Sequence, residues 1–95
     1  MNLEEIKIIL KKQKKSLQRR FKIKEIALFG SYTRGEQNDN SDVDIMVEFE
    51  SPIGIEFIDL ADELEKVLNT KVDLVSRNAM KPRLMKYIEK ELIYV

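Results

Sequence analysis

The chain of 95 residues contains no cysteine and no histidine. Without cysteine there is no disulfide framework, no thiol nucleophile and no cysteine-ligated zinc site. Without histidine, imidazole general-base catalysis, the Ser-His and Cys-His triads and histidine-bound metals are all excluded. Any catalysis therefore depends on carboxylates, Lys, Arg, Tyr, hydroxyl groups or backbone dipoles.

Long apolar segments are also absent. No stretch approaches the ~20 apolar residues that span a bilayer, and the N-terminus lacks the pattern of a signal peptide. The hydrophobic content of 43% is typical of a folded globular protein, and no low-complexity tract indicates disorder. We therefore expect a single domain over residues 1–95, located in the cytoplasm and without a membrane partner.

The net charge is zero, but the charges are distributed unevenly. Residues 1–24 carry nine Lys/Arg against two Glu, a net charge of +7, and the remaining residues carry a net charge of −7. A basic segment attracts nucleic acid, phosphates or an acidic partner, or it forms the solvated face of a helix. Its single aromatic residue, Phe21, lies near the end of the segment, so the segment offers few aromatic side chains on which bases could stack. Nucleic acid is thus the weakest of these interpretations.

Hydrophobic periodicity predicts helix, strand, short helix, strand, helix, strand, helix and a short final strand. Asn2 and Glu5 form a capping-box pattern before an amphipathic helix that ends near residue 20. Strands are predicted at 24–30, 42–50, 71–76 and in the final "LIYV", and helices at 55–69 and from Pro82. The order indicates an α/β (α+β) fold, in which helices cover one small mixed sheet of three to four strands.

Two acids interrupt the second predicted strand, "DVDIMVEFE". Asp42 and Asp44 are two residues apart, so they lie on one face of the strand with Cβ atoms roughly 6–7 Å apart. Two like charges at this spacing repel unless cations lie between them, and hard oxygen ligands favour Mg²⁺ or Mn²⁺. The third candidate ligand is Asp73, the lone acid in "KVDLVS". Three carboxylates can hold two metal ions about 3.5–4 Å apart. The alternative is an exposed edge strand whose acids serve solubility.

A Gly-Ser pair ends the first predicted strand. Gly30 follows the apolar strand directly, where a residue without Cβ lets the backbone approach a ligand. Ser31 can offer a hydroxyl and a backbone N–H to a phosphate oxygen. The alternative is an ordinary Gly-Ser turn. A serine nucleophile is a poor interpretation, because no histidine can activate it and the sequence Gly-x-Ser-x-Gly is absent.

The segment "GSYTRGEQNDNSDVD" places Gly30-Ser31 ten residues before Asp42-Val43-Asp44. This arrangement resembles the signature of the DNA polymerase β-like nucleotidyltransferase superfamily. The resemblance is closest to the minimal nucleotidyltransferases, which are paired with HEPN-domain toxins in prokaryotic toxin–antitoxin modules. It covers nearly the whole chain, from the leading helix through "KVDLVS" to "KPRL…IEKELIYV", and it implies a polymerase β-like core.

The resemblance also implies a role for each motif residue. Gly30 and Ser31 would grip the triphosphate of ATP. Asp42 and Asp44 would bind Mg²⁺, with two ions expected. Asp73 would complete one metal site and help to deprotonate the attacking hydroxyl.

The resemblance implies that Arg34, within "GSYTRG", would neutralise phosphate charge. The alternative is that Arg34 only keeps the loop solvated.

The activity implied by the resemblance is transfer of AMP from ATP to a tyrosine hydroxyl of a cognate HEPN toxin, which silences the RNase activity of the toxin. Because 95 residues hold only a catalytic core, the acceptor would be positioned by the partner or be the partner. A catalytically silent antitoxin that inhibits by binding is the other interpretation, and nothing in the sequence identifies the base of the nucleotide.

Overall fold

The computed structural model describes residues 1–95 and contains four helices and four strands. The helices are α1 (Leu3–Phe21), α2 (Ser31–Arg34), α3 (Glu56–Leu68) and α4 (Pro82–Ile88), and the strands are β1 (Ile23–Phe29), β2 (Val43–Phe49), β3 (Val72–Ser76) and β4 (Ile93–Tyr94). Short 3₁₀ turns at Arg77–Ala79 and Glu89–Glu91 were not predicted from the sequence. The order of the helices and strands confirms the order predicted from hydrophobic periodicity.

The four strands form one mixed sheet in the order β3-β2-β1-β4. β1 is antiparallel to both β2 and β4, whereas β2 and β3 are parallel. Parallel strands need a long crossover connection, and α3 supplies it between β2 and β3. The predicted α/β class with a small mixed sheet is confirmed.

One face of the sheet carries the hydrophobic core. α1 starts at the predicted capping box, in which the Asn2 side chain accepts a hydrogen bond from the Glu5 N–H at 2.9 Å. Leucine and isoleucine stripes of α1 and α3 then pack against alternate residues of β1 and β2. The fully buried members of this cluster are Ile6, Leu10, Leu17, Ile26, Val43, Ile45, Val47, Leu60, Leu64 and Leu68.

The opposite face of the sheet is partly closed. Ala27 of β1 and Met46 of β2 are cross-strand partners, and both are fully buried although they lie outside the main core. Met46 follows the same strand parity as Asp44 and Glu48, so this second face is apolar in the middle of β2 and acidic towards both ends. Asp42 and Asp44 lie at the end where β2 begins.

The basic residues of the N-terminal segment lie on and beside α1. Lys7 pairs with Glu4 at 3.5 Å, and Arg20 pairs with Glu63 at 3.4 Å. The other seven cations of residues 1–24 form no ion pair. None of the four helices combines the length and apolar composition needed to cross a membrane.

The stability of the sheet should depend on the β2 side chains that face α1 and α3. We expect Ile45→Ala to lower the free energy of unfolding by about 2–5 kcal/mol, because Ile45 is 0% exposed and its removal leaves a cavity. Ile58→Ala on α3 is the matched control, since Ile58 is 59% exposed. Urea unfolding of both variants tests the difference, and equal losses would contradict the described core.

Candidate active site

The predicted site residues meet at one end of the sheet, where β1 ends and both β2 and β3 begin. Asp44 is central, because it pairs with Phe29 across the antiparallel ladder and with Asp73 across the parallel ladder. Residues paired in register on neighbouring strands project from the same face of a sheet. Asp44 and Asp73 are therefore neighbours, and Asp42 lies just before β2 at the same edge.

The electrostatics of Asp44 reflect this crowding. Asp44 is half-buried, whereas Asp42 and Asp73 are exposed. The pKa of Asp44 is raised to about 6, and burial is the largest cause. Repulsion from Asp73, hydrogen bonding with Asp73 and repulsion from Asp42 add to the shift, whereas the charge of Arg34 partly opposes it. Burial and the neighbouring acids thus disfavour the ionised form of Asp44.

Gly30 packs directly against Asp44. A Cβ atom built on Gly30 would overlap the Asp44 carboxylate, and the backbone has φ +83° and ψ −154°, a conformation that essentially only glycine adopts. The Gly30 carbonyl accepts hydrogen bonds from the Thr33 hydroxyl at 2.8 Å and from the Thr33 and Arg34 N–H groups. Its N–H donates to Glu91 Oε1 at 2.9 Å. The position therefore requires glycine because the Asp44 side chain lies against it. The approach of a ligand to Gly30, which the sequence predicted, stays a prediction.

Ser31 and Arg34 are the first and last residues of the single-turn helix α2. The Ser31 hydroxyl makes no hydrogen bond within the protein. Arg34, in contrast, is ion-paired: its Nε donates to Glu36 at 2.9 Å and its Nη1 donates to both Glu91 oxygens at 3.1 Å. The hydrogen bonds that Arg34 donates to Glu36 and to Glu91, the first having the larger effect, raise the pKa of Arg34. The guanidinium is consequently held in place instead of being solvated freely.

Glu91 also lies at this site, although no sequence pattern assigns it a role. It lies in the segment "IEKELIYV", within the range of the resemblance, but a lone Glu near the final strand has no distinctive pattern. The only signal that could have found it is the pairing register of β4 with β1, and that register is not encoded in local periodicity. Its side chain contacts Gly30 and Arg34 across 61 and 57 residues of sequence.

The acids fit a magnesium ion in chemical type, but three of them are not arranged around one position. Carboxylate oxygens are hard ligands, and Mg²⁺ commonly takes only one or two of them, with water and phosphate oxygens completing the octahedron. No group of three or more His, Cys, Asp or Glu side chains is arranged to hold a metal ion. The two-ion, three-carboxylate site expected from Asp42, Asp44 and Asp73 is not formed in this structure, and it stays a prediction.

An open groove of about 790 Å³ lies beside the other end of β2, near Phe49. Apolar side chains dominate its walls, including Phe57, Leu74 and Leu84. An apolar groove of this size is a general candidate for a ligand site. None of the predicted site residues lines this groove, so its chemistry is separate from that of the acids.

The site thus combines a Gly-Ser turn with clustered carboxylates at one end of a mixed sheet. Residues 10–95 match the model of the nucleotidyltransferase domain family. The chain belongs to this family, and the protein is a nucleotidyltransferase.

Its relatives agree closely along the sequence. A protein of Methanocaldococcus jannaschii named as a protein adenylyltransferase is 52% identical, covering 98% of this chain and 97% of that protein. The protein adenylyltransferase MntA of Thermococcus cleftensis is 46% identical, covering 100% of this chain and 97% of its own length. Both relatives therefore match across the motif region and the C-terminal segment.

Solved structures confirm the fold. A structure described as a minimal nucleotidyltransferase superposes with a TM-score of 0.84 at 32% identity, covering 100% of this chain and 97% of that chain. A toxin–antitoxin structure with AMP-PNP gives a TM-score of 0.74 at 31% identity, covering 87% and 69%. A tri-AMPylated HEPN toxin of Shewanella oneidensis in complex with its MNT antitoxin gives 0.71 at 26% identity, covering 94% and 70%.

The packing of Gly30 can be tested against Gly35, which also has a positive φ. We expect Gly30→Ala to lower the free energy of unfolding by about 3 kcal/mol or more, because backbone strain adds to the overlap with Asp44. Gly35→Ala should cost only about 1–2 kcal/mol, the left-handed strain alone, since nothing lies within 4 Å of its Cβ position. Denaturant unfolding measures both values, and equal losses would show that Asp44 can move aside freely.

The raised pKa of Asp44 predicts an unusual pH dependence of stability. Between pH 4 and 6 the folded protein keeps the Asp44 proton while the unfolded chain has lost it, so stability falls as pH rises through this window. The shift corresponds to at most about 3 kcal/mol, which partial exposure reduces to about 1 kcal/mol. Asp44→Asn should therefore stabilise the protein above pH 6.5 and be nearly neutral below pH 4.

Thermal unfolding in EDTA-containing buffers from pH 3.5 to 8 measures this difference. Asp59→Asn is the control, because Asp59 is exposed on α3 away from the cluster. An Asp44→Asn variant that is less stable than the parent at pH 7.5 would contradict the described repulsion.

Proposed function

We propose that this protein transfers AMP from ATP to a tyrosine hydroxyl of a HEPN-domain RNase toxin, and that it acts in this way as the antitoxin. The observation that carries the proposal is the meeting of Asp44, Asp73 and Gly30 at one end of the sheet. Carboxylates held together against their own repulsion are characteristic of sites that bind a cation and a phosphate chain. A purely structural face would not need them.

The relatives support both the donor and the acceptor. The Thermococcus protein is named as a protein adenylyltransferase, and one structural neighbour is a toxin–antitoxin pair with the ATP analogue AMP-PNP. Another neighbour holds a HEPN toxin that carries AMP groups, in complex with its antitoxin. An ATP donor and a HEPN acceptor are therefore the simplest choice for this chain.

Asp42, Asp44 and Asp73 would hold one or two Mg²⁺ ions in this proposal. When bound, Mg²⁺ neutralises charge on the triphosphate and polarises the phosphoryl oxygens. Two of the three carboxylates are already adjacent, and Asp42 lies close enough to act on the pKa of Asp44.

The protein side chains and backbone position the two reactants and accept the proton. The tyrosine oxygen attacks the α-phosphorus of ATP, the new O–P bond forms as the bond to the bridging oxygen breaks, and pyrophosphate leaves. The hydroxyl proton passes to the Asp73 carboxylate. Ser31 donates its hydroxyl to a phosphate oxygen, Gly30 permits close approach, and Arg34 supplies positive charge. Orientation and charge neutralisation of this kind supply most of the acceleration in phosphoryl and nucleotidyl transfer.

The test is transfer of label from ATP carrying ³²P on its α-phosphate to a HEPN-domain protein encoded in the same operon. With Mg²⁺ we expect labelled HEPN protein, and with excess EDTA no labelling. Asp44→Asn should lower the rate by at least about 100-fold, because it removes charge at the centre of the site. Asp59→Asn on the distant α3 is the matched control and should leave the rate unchanged.

Neutralisation in cells separates this activity from inhibition by binding alone. If Asp42→Asn and Asp44→Asn both protect cells from the toxin at the same dose as the parent, the protein acts by forming a complex and the acids are structural. Loss of protection with retained complex formation supports the transferase.

A further inference from the structure

One carboxylate links the Gly-Ser turn to the C-terminal end of the chain. Glu91 Oε1 accepts a hydrogen bond from the Gly30 N–H at 2.9 Å, and both Glu91 oxygens accept from Arg34 Nη1 at 3.1 Å. The Glu91 side chain is only 23% exposed. Two separate groups of the predicted triphosphate-binding turn are therefore held by the same residue.

The sheet register explains why a side chain, and not a backbone carbonyl, accepts the hydrogen bond from the Gly30 N–H. β1 pairs with β4 through Ala27↔Tyr94 and Leu28↔Ile93, so continuing the antiparallel register places residue 91 opposite Gly30. The backbone at Glu89–Glu91 is a 3₁₀ turn, not a strand. The Gly30 N–H is buried, so leaving it without a hydrogen-bond acceptor would lower the stability of the fold. The Glu91 carboxylate takes the place of the missing ladder carbonyl.

The same bond fixes the orientation of the Gly30 peptide. Glycine reaches φ +83° without a steric cost, but it has more conformational freedom than any other residue, so the groups that bind the peptide set its conformation here. Its carbonyl is fixed by Thr33 and its N–H by Glu91. Since Asp44 packs against the same residue, movement of the Gly30 peptide would also move the central carboxylate of the site.

Glu91 also orients the guanidinium of Arg34. Nε is bound to Glu36 and Nη1 to Glu91, while Nη2 donates to no group of the protein. A guanidinium fixed on two of its nitrogens presents the third in one direction. An anionic oxygen of a nucleotide can therefore meet Nη2 without displacing either carboxylate.

We propose that Glu91 is a positioning residue of the transferase site, which fixes the Gly30 peptide and aims Arg34 Nη2 at the triphosphate of the donor nucleotide. The proposal rests on the nucleotidyl transfer proposed above. Glu91 does not touch the reacting atoms; it acts through Gly30 and Arg34. The C-terminal 3₁₀ turn is consequently part of the nucleotide site, although it lies 61 residues after Gly30.

Kinetics with the HEPN protein and ATP test the positioning role. Glu91→Ala should lower kcat/KM for ATP by about 10- to 100-fold, the scale of a misplaced binding group. Glu91→Gln keeps an oxygen that can accept from the Gly30 N–H and should recover most of this loss. Glu89→Ala is the matched control, because Glu89 is exposed in the same turn and its side chain makes no hydrogen bond or ion pair.

A measurement independent of activity uses the small number of glycines. Selective ¹⁵N-glycine labelling gives three amide signals, from Gly30, Gly35 and Gly54. Gly35 donates to the Ser31 carbonyl and Gly54 to Glu56, so both serve as internal references. Glu91→Ala should speed hydrogen exchange at Gly30 at least tenfold relative to Gly54, whereas Glu91→Gln and Glu89→Ala should not.

The outcomes separate this inference from the function on which it rests. An inactive parent protein in which Gly30 exchange still depends on Glu91 overturns the proposed transferase, and the positioning role falls with it. An active parent whose Glu91→Ala and Glu89→Ala variants share the same kcat, KM and Gly30 exchange overturns the role of Glu91 alone. Equal losses of activity and melting temperature in Glu91→Ala and Glu91→Gln, without a selective change at Gly30, also overturn it, because the residue would then be merely structural.

Discussion

The in-register parallel pairing of β2 with β3 is the constraint on which the site depends. It makes neighbours of Asp44 and Asp73, two acids that lie 29 residues apart on different strands. Their repulsion and the partial burial of Asp44 disfavour the ionised pair. The apolar residues on the reverse of β2, such as Val43 and Ile45, offset this cost by packing beneath α1 and α3. The core and the site are therefore two faces of the same strand.

The antiparallel pairing of β1 with β2 adds the second half of the site. It brings the end of β1 level with Asp44, so that Gly30 lies against the carboxylate and a side chain at that position has no room. The spacing between the Gly-Ser pair and the acids then has a structural meaning. α2 and the loop that follows are the chain needed to turn from the end of β1 to the start of β2. The pairing of β1 with β2, the pairing of β2 with β3 and the turn after β1 thus bring the residues of the candidate site together.

Gly30 is held by different kinds of contact on its two sides, one towards β2 and the other towards β4. On the side of β2, packing between Gly30 and Asp44 leaves no choice of residue. On the side of β4, a charged side chain replaces a backbone partner, because the chain at Glu89–Glu91 coils into a 3₁₀ turn. The result is a chain of contacts from the C-terminal strand through Glu91 to Arg34. The far end of β2, with its apolar groove, takes no part in it.

The sequence by itself determined the helices, the strands and the face on which each apolar stripe is buried, because periods of 3.6 and 2 are local properties of the chain. It also determined the family, since Gly30-Ser31 and Asp42-Val43-Asp44 lie at a characteristic separation. The tertiary structure alone decided three things: the pairing of Asp44 with Asp73 across β2 and β3, the lack of a preformed three-ligand metal set, and the pairing of Arg34 and Gly30 with Glu91. Each depends on strand order and register between residues 29 to 61 positions apart. Alternating patterns specify which face of a strand is buried, but they do not specify which strand lies next to it.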